Sequence, residues 1–526
     1  MLFTDPIFLF FLFPLACLLF YRFTPRHGPS FGLGILLVIS LLFYLPWGLH
    51  YFSLLLVSIT VNFAAAYALL TTPDGDVRRR KAALTIGLLY NFGSLIWFKY
   101  RLPVLYGAGI LDAPNADLSL VDLAIPIGIS FYTFQQAIFL VDAFHREPSV
   151  VAYLGNLRAP WGRLRAYIHH AFFVVFFPHL VIGPIVYLRE FQPQVESRQF
   201  GRLRIRDLEV GITLMAIGLF KKIVIADNLA PIADSVFGQA NVGATVPALT
   251  AWTGVAAYYA QLYFDFSGYS DLAIGTARVL GVRFPINFFS PLKAVGIVDF
   301  YRRWHITLTR VIARFLYVPL SMSGARLATR WKLSKRQMRS IAQWLPLLLN
   351  FEVIALWHGA RMTFVAFGLI HGLWYIAETE VRNSKTFKNW KRRTPAWARA
   401  AIGRVIFTLP MILTFALFRS SSLGSYGHLL DQLVGGPSAP AVSGKQLIDW
   451  ALIAGAYAVI WLLPNAMEFL RRYRPGIVTY ENESYGLRAL RFAWRPSMLW
   501  AAVTLVMVLS CMYFISRQPP FLYMGF

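Results

Sequence analysis

The sequence predicts an all-α protein that crosses a membrane many times, and three observations carry that prediction. Hydrophobic residues make up 57% of the 526 positions and charged residues only 14%, against roughly a quarter charged in an ordinary soluble chain. A long series of apolar runs approaches the ~20 residues needed to cross the hydrocarbon core as a helix. The short links between those runs hold most of the basic residues, as cytoplasmic loops do in membrane proteins.

Taken in order, the candidate spans are 2–21, 31–49, 51–71, 84–102, 123–143, 207–231, 246–264, 341–358, 362–379, 401–418, 447–468 and 496–515. Basic links follow the first, third and fifth: Arg22 and Arg26, then Arg78-Arg79-Arg80-Lys81, then Arg158, Arg163 and Arg165. The link 110–122 carries Asp112, Asp117 and Asp122 with no Lys or Arg, and 232–246 carries Asp234 with none. Alternation of these signs puts both termini outside and the basic stretches 382–399 and 471–493 inside. The opening apolar run lacks a basic leader, so it reads as a first spanning helix and not a cleaved signal.

Two segments resist this scheme. Residues 167–187 are apolar but flanked by basic links and broken by Pro178, Gly183 and Pro184. A re-entrant hairpin fits, because broken backbone is tolerated at membrane depth only where protein or a water-filled cavity surrounds it. Residues 280–340 mix aromatics with Arg and Pro and read as short helices in or near the cytoplasmic interface. No repeat, soluble domain or long linker is visible, so residues 1–526 are read as one transmembrane domain.

The net charge is +25, from 50 Lys and Arg against 25 Asp and Glu. Placed in the links, this charge faces anionic lipid, and nucleic acid is not expected as a partner. Cys17 and Cys511 lie in apolar runs at opposite ends of the chain, which gives neither a disulfide framework nor a metal set. The histidines show no H-x-x-x-H spacing, so no metal is expected.

Ionisable groups inside apolar sequence cost several kcal/mol each and by default mark a site. They concentrate between Tyr258 and His371: Asp265, Asp271, Asp299, Arg302, Arg303, His305, His358 and His371. His358 ends an apolar run in LWHGA and precedes Gly359. It reads either as a buried neutral imidazole able to take a proton from a hydroxyl, or as a histidine hydrogen-bonded to a neighbouring helix. His371 follows 13 residues later; on one unbroken helix the two rings would face nearly opposite ways, roughly 220° apart. They would share a site only if Gly359 or Gly368 breaks the helix.

In DFYRRWHITLT, a helical turn could pair Asp299 with Arg302 or Arg303 and leave His305 unengaged. That places His305 and the arginines in a donor pocket wall; the alternative is an interfacial helix with its arginines on lipid headgroups. In FDFSGYSD, Asp265 and Asp271 read as ion-paired struts holding an irregular backbone, with Arg278, Arg283 or Arg302 as available partners.

These stretches resemble the membrane-bound O-acyltransferase family, in the bacterial branch of alginate O-acetyltransferases and teichoic-acid D-alanyl transfer proteins. The resemblance spans most of the chain: PIGISFYTFQQAIFLVDAFHRE (126–147), FFPHLVIGPIVYLREFQPQ (176–194), GLFKKIVIADNLA (218–230), FDFSGYSDLAIG (264–275), FYRRWHITLT (300–309), LWHGARMTFVAFGLIHG (356–372) and FALFRSSS (415–422). Where the family often has an acidic residue before a Tyr-Leu-Tyr-Ile-Pro-Leu run, this chain has Arg314, and Arg361-Met362 follow WHGA.

The resemblance implies a ring of about 11–13 transmembrane helices around a central tunnel, with a catalytic core near 258–372. It implies His358 as the catalytic histidine and His305 at the centre. Arg302, Arg303, Asp265, Asp271, Trp304, Trp357 and His371, read from the residues themselves, are expected to bind substrate or support them. The expected activity is O-acetyl transfer in the bacterial inner membrane, from cytoplasmic acetyl-CoA or another acyl thioester, with no permanently bound cofactor. The acceptor is expected to be an exopolysaccharide hydroxyl or a periplasmic partner protein. D-alanyl transfer from a carrier protein, and polysaccharide or lipid transport without chemistry, stand as alternatives.

Overall fold

The computed structural model describes residues 1–107, 125–436, 443–478, 493–515 and 521–522. The expected acidic link 110–122 and most of 471–493 lie outside the described residues. Among those described, the chain is helical and contains no strand, only an isolated bridge between Pro285 and Ile477.

The first helices are set by their breakers. Helix α1 (Phe13–His27) ends at Gly28, whose φ of 90° is left-handed, and Pro29 opens α2 (Pro29–Tyr44) at its first position, where a missing N–H costs nothing. A 3-10 turn at Leu45–Trp47 and Gly48 lead into α3 (Leu49–Thr71). Then follow α4 (Val77–Gly107), α5 (Ile129–Phe144), α6 (Pro160–Val175), α7 (Ile205–Leu219) and α8 (Asp227–Asn241). The seven residues between α7 and α8 form a π turn, so the two make one continuous rod.

Helix α9 (Ala248–Val279) is the axis of the molecule. It runs 32 residues, about 48 Å at 1.5 Å per residue, and every side chain from Ala257 to Val279 is buried. The expected span 246–264 is therefore too short, and FDFSGYSD is regular helix, not irregular backbone. Its carboxylates do not break the helix because Lys221 and Lys222 of the π turn neutralise them.

α7 and α9 pack antiparallel through glycines spaced seven apart on each: Gly211 and Gly218 against Gly275 and Gly268. A Cβ on Gly218 would lie 2.6 Å from the Gly268 carbonyl oxygen, and one on Gly275 would lie 2.8 Å from that of Gly211. Only glycine allows backbones this close.

The chain continues through the short helices Pro291–Lys293 and Ile297–Tyr301 into an unbroken rod from Ile306 to Arg330. Residues 280–301 thus match the expected short pieces, whereas 306–330 is one helix that absorbs Pro319 near the start of its last segment. Five helices complete the described chain's long elements: α10 (Leu345–His358), α11 (Met362–Asn383), α12 (Ala396–Arg419), α13 (Gly444–Leu462) and α14 (Met498–Phe514). The broken segment 176–187 runs through a short helix at Phe177–Leu180 and extended backbone, and all of it is buried.

Six described helices are long and apolar enough to cross a membrane unaided: Phe8–His27, Pro29–Trp47, Leu49–Thr71, Lys335–His358, Ala396–Arg419 and Gly444–Leu462. Others in the expected series, such as α9, carry buried ionisable groups and find their surroundings in protein. The molecule is a multi-pass membrane protein.

Candidate active site

Buried charges on α9 define the frame of the site. Lys221 Nζ lies 2.6 Å from Asp271 Oδ2, and Lys222 Nζ lies 2.7 Å from both Asp265 and Asp227. Both lysines come from the π turn, whose wider winding brings neighbouring residues onto the α9 face. Arg278 pairs instead with Asp207 at 2.7 Å. The struts are real, but lysines of the GLFKK stretch hold them, not the arginines expected from α9 and beyond. Phe521 and Leu522 reach the same place: Leu522 N–H donates to Asp265 Oδ2 at 3.2 Å, and the Phe521 ring packs on Tyr269 at 4.9 Å.

His305 lies beside this frame, 4% exposed, with φ 45° and ψ 49°. A left-handed backbone at a residue with a Cβ carries strain of order 1–2 kcal/mol, and such strain gathers at functional sites. Asn287 fixes the imidazole. Asn287 Oδ1 accepts from Thr307 N–H at 3.3 Å and from Thr307 Oγ1 at 2.9 Å, while its Nδ2 donates to Ser270 at 3.2 Å. An oxygen that already accepts from a backbone N–H must also accept from His305 Nδ1, 3.1 Å away. The proton therefore sits on Nδ1, and Nε2, which has no hydrogen-bond partner among the described residues, carries the lone pair.

Trp357 joins the two histidines of the resemblance. Its ring centroid is 6.3 Å from that of His305 and 4.9 Å from that of His358. Phe131 and Phe134 of α5 meet the indole edge-on at 6.1 and 5.8 Å. His358 is the last residue of α10, and Gly359 leaves the helix in extended backbone, φ 158° and ψ −179°. A cavity of about 330 Å³ opens on His358, lined also by Lys99, Ile125, Gly359, Ala360, Arg361 and Phe364.

The remaining expected residues fall into two groups. Trp304 stacks on Phe300 at 5.3 Å and meets Phe288 edge-on at 5.0 Å, forming a wall near His305. Arg303 is buried and bonds Asp299 at 2.8 Å, which makes it a clasp within its own turn, whereas Arg302 is exposed. His371 does not join His358, although the helix breaks at Gly359 as that required. It is fully buried, 2.7 Å from the Tyr301 hydroxyl, and stacks on Phe367 at 3.9 Å. The rings of Phe367, Phe415 and Phe418 lie between the two imidazoles. Among the described residues no group of His, Cys, Asp and Glu is arranged to hold a metal.

Sequence reasoning did not single out Asn287, Lys221, Lys222 or Lys99. The two lysines stood in a quoted motif, and their position in mid-span was the available signal. Arg314 is explained by the fold: it bonds Asp142 at 2.6 Å, so the acid that the chain lacks before LYVPL is supplied by α5.

Comparison with known proteins identifies the family. The profile of the membrane-bound O-acyltransferase family matches residues 165–418. A peptidoglycan O-acetyltransferase of Helicobacter pylori is 35% identical over 71% of this chain and 69% of its own. A probable alginate O-acetylase of Pseudomonas syringae is 32% identical over 77% of this chain and 72% of its own. A teichoic acid D-alanyltransferase of Streptococcus thermophilus is 25% identical over 47% of this chain and 60% of its own. Transport without chemistry is set aside: the chain belongs to the membrane-bound O-acyltransferase family and is an acyltransferase.

Proposed function

We propose that the protein transfers an acetyl group from a cytoplasmic thioester, acetyl-CoA, to a hydroxyl of a cell-envelope polysaccharide or of a partner protein beyond the membrane. The observation that carries the reading is the row His305–Trp357–His358, which begins beside the central helix α9 and ends on a cavity wall. The setting is a bacterial inner membrane, with the basic start of α4, Lys335, Arg336 and Arg339 ahead of α10 and the basic end of α11 on the donor side, and both termini outside. Acetyl-CoA is a substrate that leaves as CoA, and no resident cofactor is required.

His358 removes the proton from the acceptor hydroxyl as its oxygen attacks the thioester carbonyl. The C–S bond breaks, and the proton passes to the departing thiolate, so one S-acyl bond is exchanged for one O-acyl bond. General-base catalysis of this kind is worth ~10²–10⁴-fold. His305, protonated on Nδ1, offers a lone pair at Nε2, which suits it to accept a hydrogen bond from an N–H or O–H of the bound substrates. Orientation of the substrates fits this tautomer; polarisation of a carbonyl would need a proton on Nε2.

The test uses purified protein in nanodiscs with radiolabelled acetyl-CoA, wild type beside His358→Ala, scored for CoA release and for label on candidate acceptors. Release that needs His358 is the expected result. Transfer undiminished in the variant would reject the mechanism. The resemblance to a D-alanyltransferase keeps a carrier-protein donor as the second reading. It predicts no release from acetyl-CoA and turnover only with an acylated, phosphopantetheinylated carrier.

A further inference from the structure

We propose that Lys99, with its neighbour Tyr100, is a positioning residue for His358. It acts by clamping the end of α10 from α4. The inference rests on the reading of His358 as the base, but the contact it invokes is independent of substrate.

The last carbonyls of a helix have no N–H of their own helix to bind. In α10, two of these carbonyls are met by consecutive residues of a helix nearly 260 positions away in sequence: Lys99 Nζ donates to the Trp357 carbonyl, and the Tyr100 hydroxyl donates to the Leu356 carbonyl. The Leu356 oxygen also takes the Gly359 N–H at 3.0 Å. A cation at a helix C-terminus is favoured by the helix dipole. The same ammonium lies 5.3 Å from the centroid of the Trp357 ring, where the π face attracts it. Lys99 thus holds Trp357 by both its carbonyl and its indole, and His358 is the next residue.

A lysine in an apolar helix needs a reason to be there. Ion pairing does not supply one, since no carboxylate lies within salt-bridge distance of Lys99 among the described residues. Lys99 also lines the cavity onto which His358 opens. A general base must sit within about 2.6–3.2 Å of the proton it takes, and a misplacement of about 1 Å costs ~10²-fold in rate. The terminal residue of a helix followed by glycine is the place most prone to such drift.

The experiment uses the full chain in nanodiscs, with Lys99→Met, Lys99→Arg and Tyr100→Phe. Steady-state acetyl-CoA kinetics are combined with hydrogen–deuterium exchange read on peptides covering 352–360. Lys99→Met is expected to lose about 10–100-fold in kcat, with the KM for the donor unchanged and faster exchange confined to 356–359. Lys99→Arg should recover most of the loss, and Tyr100→Phe should show a smaller change of the same kind. The inference is overturned by wild-type kcat in Lys99→Met, by a loss expressed in KM alone, or by faster exchange throughout the protein. Should the wild type turn over no thioester, the reading of the function falls, and the exchange data still decide whether Lys99 holds the end of α10.

Discussion

Asn287 Oδ1 stands 3.1 Å from His305 Nδ1, and this contact sets which nitrogen of the ring faces the site. Two bonds from Thr307 and one to Ser270 leave the Asn287 amide a single orientation. Asn287→Ala should therefore let the ring rotate and exchange tautomers. Partners of this kind, one shell out from the reacting groups, are worth ~10–100-fold, and the loss should fall on kcat. Asn287→Asp keeps the accepting oxygen and should restore most of it. Equal losses in the two variants would show that the oxygen is not what matters.

Lys221 and Asp271 form a buried pair at 2.6 Å. Removing one member leaves an uncompensated charge, at a cost of ~3–5 kcal/mol, while removing both is often close to neutral. Lys221→Met should unfold in detergent at a clearly lower temperature than wild type, and Lys221→Met/Asp271→Leu should regain most of the difference. A double variant as labile as the single would mean that Asp271 does more than balance charge.

Gly218 has no room for a methyl group, because the Gly268 carbonyl would be 2.6 Å from it. Gly218→Ala must separate α7 from α9 and shift Lys221, three residues on. Thermal unfolding should reveal a loss of about 1–3 kcal/mol, the range for overpacking a tight contact. An unchanged melting temperature would show that the helices separate freely.

His371 bonds Tyr301 and lies behind the Phe367, Phe415 and Phe418 rings. His371→Leu should cost stability, about 1–3 kcal/mol for the hydroxyl it leaves unsatisfied, with kcat per folded molecule nearly unchanged. A kcat collapse like that expected of His358→Ala, in protein that remains folded, would return His371 to the reaction.

What the sequence determined by itself is the class of the molecule and the motifs of its candidate site. Runs of apolar residues must be helical in lipid, since unpaired backbone groups there cost several kcal/mol each, and basic links between them fix a multi-pass chain. His305, Trp357 and His358 are legible because local motifs carry them. The tertiary structure decided which distant groups answer them. Lys221 and Lys222 neutralise Asp271 and Asp265, Asn287 selects the His305 tautomer, and Lys99 caps α10, all through contacts across tens or hundreds of residues that no local pattern encodes. It also decided that His371 stands apart, because a helix break fixes where a chain turns but not which side chains fill the space between two rings. The same physics explains α9: its carboxylates look like interruptions in sequence, and the close approach of α7 through four glycines makes them part of an unbroken helix.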